Sequence, residues 1–351
     1  MSLEDLRPHL FSLPQQPNLI PYRTSYYKEN WGFCLPHRQL EQLEQGEYEV
    51  YIDSSLEDGF LTYGEYYIKG KSEQEILLTA HICHPSLAND NLSGISIITH
   101  LAQAIAQQKN NYSYRILFIP GTIGSITWLA QNEDKIPNIR HGLVASLLGD
   151  SGAFTYKKSR QGNTELDQTV ARVLAASGYA FQIIDFFPYG YDERQFCSPA
   201  FNLAVGNLTR SQFGQFPEYH TSADNLDFVE GQFLEASFLI YQKIVLSLEA
   251  NFGKYPIPIP SNFQPKTNEI YYQNLFPKCE PQLGKRGLYD AIGGDSDQKA
   301  RQMAMLWVLN FSDSQHSLQD IAKKSGIALE VIQAIAKVLE EEGVIKKSVE
   351  I

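Results

Sequence analysis

The sequence predicts an α/β protein: a mainly parallel sheet with helices on both faces, a small β-rich inserted domain and a C-terminal winged helix. Three observations predict it. From Glu75 onward, short apolar runs alternate with stretches of helical spacing, the pattern of repeated β-then-α units. Before that, Tyr22 to Lys71 shows period-two alternation and no long helical pattern, as in strands. After the Pro-rich stretch near residue 256, three helix-like segments lead into a terminal strand, the outline of a winged helix.

Taken in order, residues 3–13 read as a short amphipathic helix with Leu3, Leu6, Leu10 and Leu13 on one face, stopped by Pro14, Pro17 and Pro21. With the residues up to 21 it is assigned to the α/β domain. YEVYIDSS and GFLTYGEYYIKG then alternate between glycines, so 22–71 reads as a separate β-rich module. The α/β domain proper is placed at 72–255. Its strands are read at 76–80, 114–119, 143–148, 181–187 and 202–205, and its helices at 93–108, near 125–131, near 166–177 and from 228 to about 250. Residues 256–297 read as a connection, and 298–351 as the winged helix, with helices at 298–309, 317–325 and 328–342 and a strand at 344–349.

The bulk numbers exclude several function classes. The 351 residues are 43% hydrophobic and 20% charged, with a net charge of −11. An acidic chain lacks the basic face that phosphate contacts require. The winged helix repeats the point. Lys299, Arg301, Lys323, Lys324, Lys337, Lys346 and Lys347 are offset by Asp313, Asp320, Glu330, Glu340, Glu341, Glu342 and Glu350, and three of those acids close its last helix. Nucleic acid is therefore not the expected partner; a second copy or another protein packed on this unit is. Four cysteines, Cys34, Cys83, Cys197 and Cys279, form no CxxC pair, which argues against a structural zinc knot or a disulfide scaffold. No apolar run has membrane-spanning length, and the N-terminus lacks a signal-peptide core. The expected location is the cytoplasm.

The chemistry gathers at strand ends. The stretch EILLTAHICHPSLANDNLSG ends a buried strand on His81, continues through a loop with Cys83, His84, Asn89 and Asp90, and opens a helix. Open α/β sheets place ligand sites there. A His and an Asp nine residues apart suit a pair of metal ligands. Equally, a strand-end His can be held by a hydrogen bond alone, and Asp90 suits an Asx turn or a cap. Further polar clusters follow at Asp150, at Asp192-Glu193-Arg194 and at Glu218-Tyr219-His220. Two imidazoles and several carboxylates at strand ends suit a divalent ion such as zinc. A local ion pair is the alternative for Asp192–Arg194, and an N-cap for Asp224.

These residues resemble a known family. HICHPSLANDNLSG resembles the GANDNASG loop of the M28 zinc aminopeptidases. IPYRTSYYKENWGFC, DGFLTYGEYYIKG, GTIGSI, DERQFCSP, PEYHTSADN and LGKRGLYDAIGG extend the likeness to a bacterial M28-like family, DUF4910 and DUF2172, with an aminopeptidase-like domain followed by a winged helix. The resemblance implies a zinc-exopeptidase-like fold and one or two zinc ions. It implies that Asp90 bridges two metal positions, that His81 and Asp150 complete one, and that His220 serves the other. Where M28 enzymes carry a Glu-Glu pair, general base then ligand, this chain reads Gly121-Thr122. Glycine cannot accept a proton, so the expectation is that Glu193 swings in as base. Arg194, Tyr189, Tyr191 and Glu218 are the expected substrate contacts, with Glu193 or Glu218 as stand-in ligands. The family also carries a longer stretch before IPY than this chain does. The implied activity is zinc-dependent hydrolysis of small peptides or amides. The alternatives are a relative that binds a metal or ligand without turnover, and an amidohydrolase acting on acetylated sugars.

Overall fold

The computed structural model describes residues 1–24, 29–84, 87–255, 263–288 and 295–349. The N-terminal arm runs through α1 (Leu3–Leu6), β1 (Leu10–Phe11), β2 (Phe33–Cys34), α2 (His37–Glu41) and β3 (Gly64–Ile68). The α/β domain follows with β4 (Glu75–His81), α3 (Gly94–Ala106), β5 (Ser113–Ile119), α4 (Ile123–Gln131), β6 (Ile139–Ala145), β7 (Phe154–Lys157), α5 (Glu165–Ala175), β8 (Phe181–Ile184), α6 (Glu193–Phe196), β9 (Val205–Thr209) and α7 (Gly231–Ala250). The C-terminal unit contains β10 (Tyr271–Asn274), α8 (Asp295–Phe311), β11 (Asp313–Ser317), α9 (Leu318–Ser325), α10 (Leu329–Glu341) and β12 (Ile345–Val349).

Seven strands form the main sheet in the order β3-β5-β4-β6-β9-β7-β8. The central four, β5, β4, β6 and β9, are parallel. At the margins β3 and β7 run antiparallel to their inner neighbours, and β8 is parallel to β7. Every residue of β4 is buried, because helices cover both faces. Its side chains alternate between two cores: Ile76 and Leu78 face one with α3, α5 and α7, while Leu77 faces the other with Trp128 of α4 and Phe196 of α6.

The C-terminal unit completes that second core. Tyr272, Trp307, Ile332 and Leu339 belong to the same apolar cluster as Leu77 and Trp128. Arg160 ties the two units: its Nε donates to Asn310 Oδ1 at 2.8 Å, its guanidinium pairs with Asp313, and its Cζ lies 4.6 Å from the Phe311 ring centre. Local sequence explains the helices here. Ser317 and Asp320 form a capping box at α9, and Gly326 ends it at φ 69°, a left-handed conformation that suits glycine.

The structure corrects several expectations. The helix read over 3–13 stops at Leu6, because Pro8 lies within the next turn and supplies no N–H. The stretch 22–71 forms no β domain of its own among its described residues. Its alternating 48–55 run finds no partner strand, residues 51–60 are exposed throughout, and β3 joins the main sheet through β5. The stretch 256–297 is more than a connection. Its strand β10 lies between β11 and β12, so the winged unit starts earlier than residue 298. The described part of residues 289–298 is confined to backbone, and 256–262 lie outside the described residues. Strands β7 and β11 are additions; each is short and carries polar residues that hide its pattern. Among the described residues no helix is long and apolar enough to cross a membrane.

Because both units share one core, Trp307→Ala is expected to cost about 3–5 kcal/mol. Calorimetry should show both units melting in a single earlier transition.

Candidate metal centre

The centre is built around the end of β4. His81 is its last residue and the loop Leu87–Ser93 returns Asp90 beneath it. That loop is pinned from below. Asp224 accepts the backbone N–H of Asn89 at 2.5 Å and of Asp90 at 2.9 Å. Asn89 in turn donates through Nδ2 to Asp150 at 2.8 Å and accepts from Gly149 N at 2.8 Å.

Asp90 is wholly buried. His81 Nε2 lies 2.8 Å from its Oδ1, His220 Nε2 3.0 Å from Oδ2, and His84 Nε2 3.5 Å from Oδ2. Tyr191 donates its hydroxyl to Oδ1 at 3.2 Å. Burial alone would push this carboxyl up; the bonds from His220, His81 and His84 outweigh it and hold it well below the usual carboxylate range. Rings fix the imidazoles. Tyr191 stacks on His81 at 4.5 Å between centres, Tyr219 stacks on His220 at 4.0 Å, and Tyr22 packs edge-on to His220 and tilted to His84.

Metal-binding atoms of His81, His84 and Asp90 all lie within 4.8 Å of one another. The donor set fits zinc by type: imidazole nitrogens and one carboxylate, largely removed from water. His84 adds an observation of its own, a buried Nδ1 with no partner. His81, His84 and Asp90 are the residues that would hold an ion, with His220 set against the same carboxylate.

His81, Asp90, His220 and Tyr191 thus come together. The other expected residues do not join them. Asp150 is saturated elsewhere: Oδ2 takes Asn89, and Oδ1 takes Gly152 N at 2.7 Å and Ser211 Oγ at 2.6 Å. It braces the loop rather than completing a metal position. Glu193 is buried in an ion pair with Lys157 Nζ at 2.7 Å, and so is not free to swing in as base. Arg194 pairs with Glu280, which follows β10 in the C-terminal unit. Glu218 contributes its carbonyl to the turn before His220, accepting from Thr221 Oγ1 at 2.8 Å. Tyr189 is 41% exposed and packs on Phe213, not on the imidazoles.

Two residues were not assigned roles from sequence. His84 is the third imidazole, and its signal was the HxxH spacing of His81 and His84. Asp192 is wholly buried, with Oδ1 2.7 Å from Ser125 Oγ and Oδ2 unpartnered. Burial pushes its carboxyl up to about 6. A carboxyl raised on folding contributes stability that is full below its unfolded value and is lost as pH rises through the folded one. Asp192→Asn is therefore expected to match the parent near pH 4 and to exceed it by about 3 kcal/mol at pH 8. Denaturant melts at the two pH values measure this.

Comparison with known proteins places this chain in a family. A model described as a domain of unknown function, DUF4910, matches residues 11–251, and a winged helix-turn-helix model matches residues 270–347. A Clostridium acetobutylicum protein is 51% identical over 339 residues, 97% of this chain and 74% of its own; its name gives it an aminopeptidase-like domain and assigns it provisionally to polysaccharide biosynthesis. A crystal structure from Clostridium acetobutylicum, described provisionally as a peptidase, is 48% identical, covers 99% of this chain and 75% of its own, and has a TM-score of 0.70. A zinc aminopeptidase structure from Bacillus subtilis is a more distant neighbour: 15% identity, 53% of this chain, 49% of its own and a TM-score of 0.46. The matched span and the 51% identity lead to one conclusion: the chain belongs to the DUF4910 family and carries a winged helix-turn-helix domain after it.

Proposed function

We propose that this chain is a zinc-dependent amide hydrolase of the aminopeptidase type, acting on small peptides or amides. The observation that carries the reading is the convergence of His81, His84 and His220 on one buried carboxylate, Asp90. The names of the Clostridium acetobutylicum relatives, aminopeptidase-like in one and peptidase in the other, support it. Zinc supplies positive charge that polarises a carbonyl and acidifies water. The chain's own residues do the rest. Tyr191 donates to Asp90 and stacks on His81, which keeps that ring aimed. Burial keeps the Tyr191 hydroxyl protonated, far above its usual range, so it stays a donor to Asp90. Tyr22 and Tyr219 wall the imidazoles.

A second reading is favoured by the name of one relative. The relative's assignment to polysaccharide biosynthesis points to an amide borne on a sugar, an N-acylated amino sugar. Parallel assays on aminoacyl amides and N-acyl amino sugars separate the two.

Purified protein is expected to carry about one zinc per chain. His81→Ala and His84→Ala should each lower that content to background by elemental analysis. Retention of full zinc by His81→Ala would refute the centre.

Gly121→Glu is a separate test of turnover. A Cβ at Gly121 would lie 3.1 Å from Cys83 Sγ, so the thiol must give slightly. Hydrolysis by this variant where the parent shows none would mean that the natural chain binds without turnover. Hydrolysis by the parent would dismiss that alternative.

A further inference from the structure

We propose that Asp192 is the proton acceptor of this site. The proposal rests on the hydrolase reading above and names the residue that reading lacks.

Amide hydrolysis needs a group that takes a proton from water and hands it to the leaving nitrogen. The acids around the centre can be taken in turn. Asp90 is engaged by three imidazoles and a phenol. Asp150 has both oxygens bonded, to Asn89, Gly152 and Ser211. Asp224 has both oxygens on backbone N–H groups. Glu193 accepts from Lys157 through Oε1, on the side of β7, and keeps a buried Oε2 without a partner. Asp192 is the other acid near the centre with such an oxygen, and its own lies on the side of α4, beside Gly121. Its Oδ1 is held by Ser125 Oγ, and its Oδ2 meets no donor.

Geometry aims that free oxygen. Asp192 caps α6, with its carbonyl accepting Gln195 N at 2.9 Å. The chain turns there, so neighbouring carboxylates part company: Glu193 goes to Lys157 and Asp192 goes to α4. Gly121 lies just before α4. A Cβ at Gly121 would sit 3.2 Å from His81 Cβ and 3.5 Å from Asp192 Oδ2. The unpartnered oxygen therefore faces the space beside the His81 side chain that a larger residue 121 would occupy. Burial also favours the protonated form of Asp192, which suits a group that must hold a proton midway through a reaction.

The step balances. The Asp192 carboxylate takes a proton from water as the water oxygen bonds to the carbonyl carbon. When the C–N bond breaks, Asp192 gives that proton to the departing nitrogen. Water and amide become acid and amine, and Asp192 is a carboxylate again.

The test compares zinc-loaded parent, Asp192→Asn, Asp192→Glu and Gly121→Glu on aminoacyl amides and N-acyl amino sugars. It records kcat, KM, zinc content and the thermal midpoint at pH 8. Asp192→Asn is expected to lose about 100-fold or more in kcat with KM and zinc content unchanged, while its midpoint rises. Asp192→Glu should recover part of the loss. A kcat for Asp192→Asn within a few fold of the parent overturns the proposal and leaves the hydrolase reading standing. A lowered midpoint or lost zinc in Asp192→Asn also overturns it, since the role would then be structural. If only Gly121→Glu turns over, Asp192 is not a working acceptor. If no form hydrolyses any amide while holding zinc, the hydrolase reading itself fails.

Discussion

A carboxylate removed from water must be met by donors, and Asp90 is met by four. Ion burial without partners costs several kcal/mol, so the surrounding structure has to deliver donors from distant places. His81 comes from the end of β4, His84 from the following loop, His220 from the loop before α7, and Tyr191 from the approach to α6. Only a sheet whose strand ends open on one edge brings these segments together. The supports beneath, Asp224 on the loop backbone and Asp150 on Asn89, answer the same demand.

The same logic separates acids that act from acids that brace. Asp150 and Asp224 spend their lone pairs on chain atoms and hold shape. Glu193 offsets the charge of Lys157, which itself would be hard to bury alone. Asp192 and Glu193 each keep one oxygen left over, and the one on Asp192 lies beside Gly121 and the His81 side chain. Leftover polar atoms in a packed interior call for explanation, and the proton-accepting role proposed for Asp192 would supply one.

Much of this was legible in the sequence. Strand β4, the loop and α3 follow from an apolar run, an Asn-rich turn and helical spacing, and the strand-end rule brings His81 and Asp90 together. What was not legible depends on direction. Whether Asp192 or Glu193 faces the centre turns on where α6 begins, and a pair of adjacent acids does not reveal that. Asp150 looked like a ligand because spacing says nothing about Ser211 and Gly152 claiming its oxygens. His84 looked like loop because its ring direction is set by tertiary packing with Tyr22. The 48–55 alternation misled for a related reason: period two marks a chain able to pair, and the partner strand must come from elsewhere.

The winged unit supplies half of one layer. Trp307, Tyr272 and Leu339 lie against the same cluster as Leu77, Trp128 and Phe196. A fragment cut after Tyr255 would thus be no smaller version of the whole protein. Its sheet would carry a bare oily flank, and such a fragment would cling to chaperones, to vessel walls or to its own kind before it met a substrate.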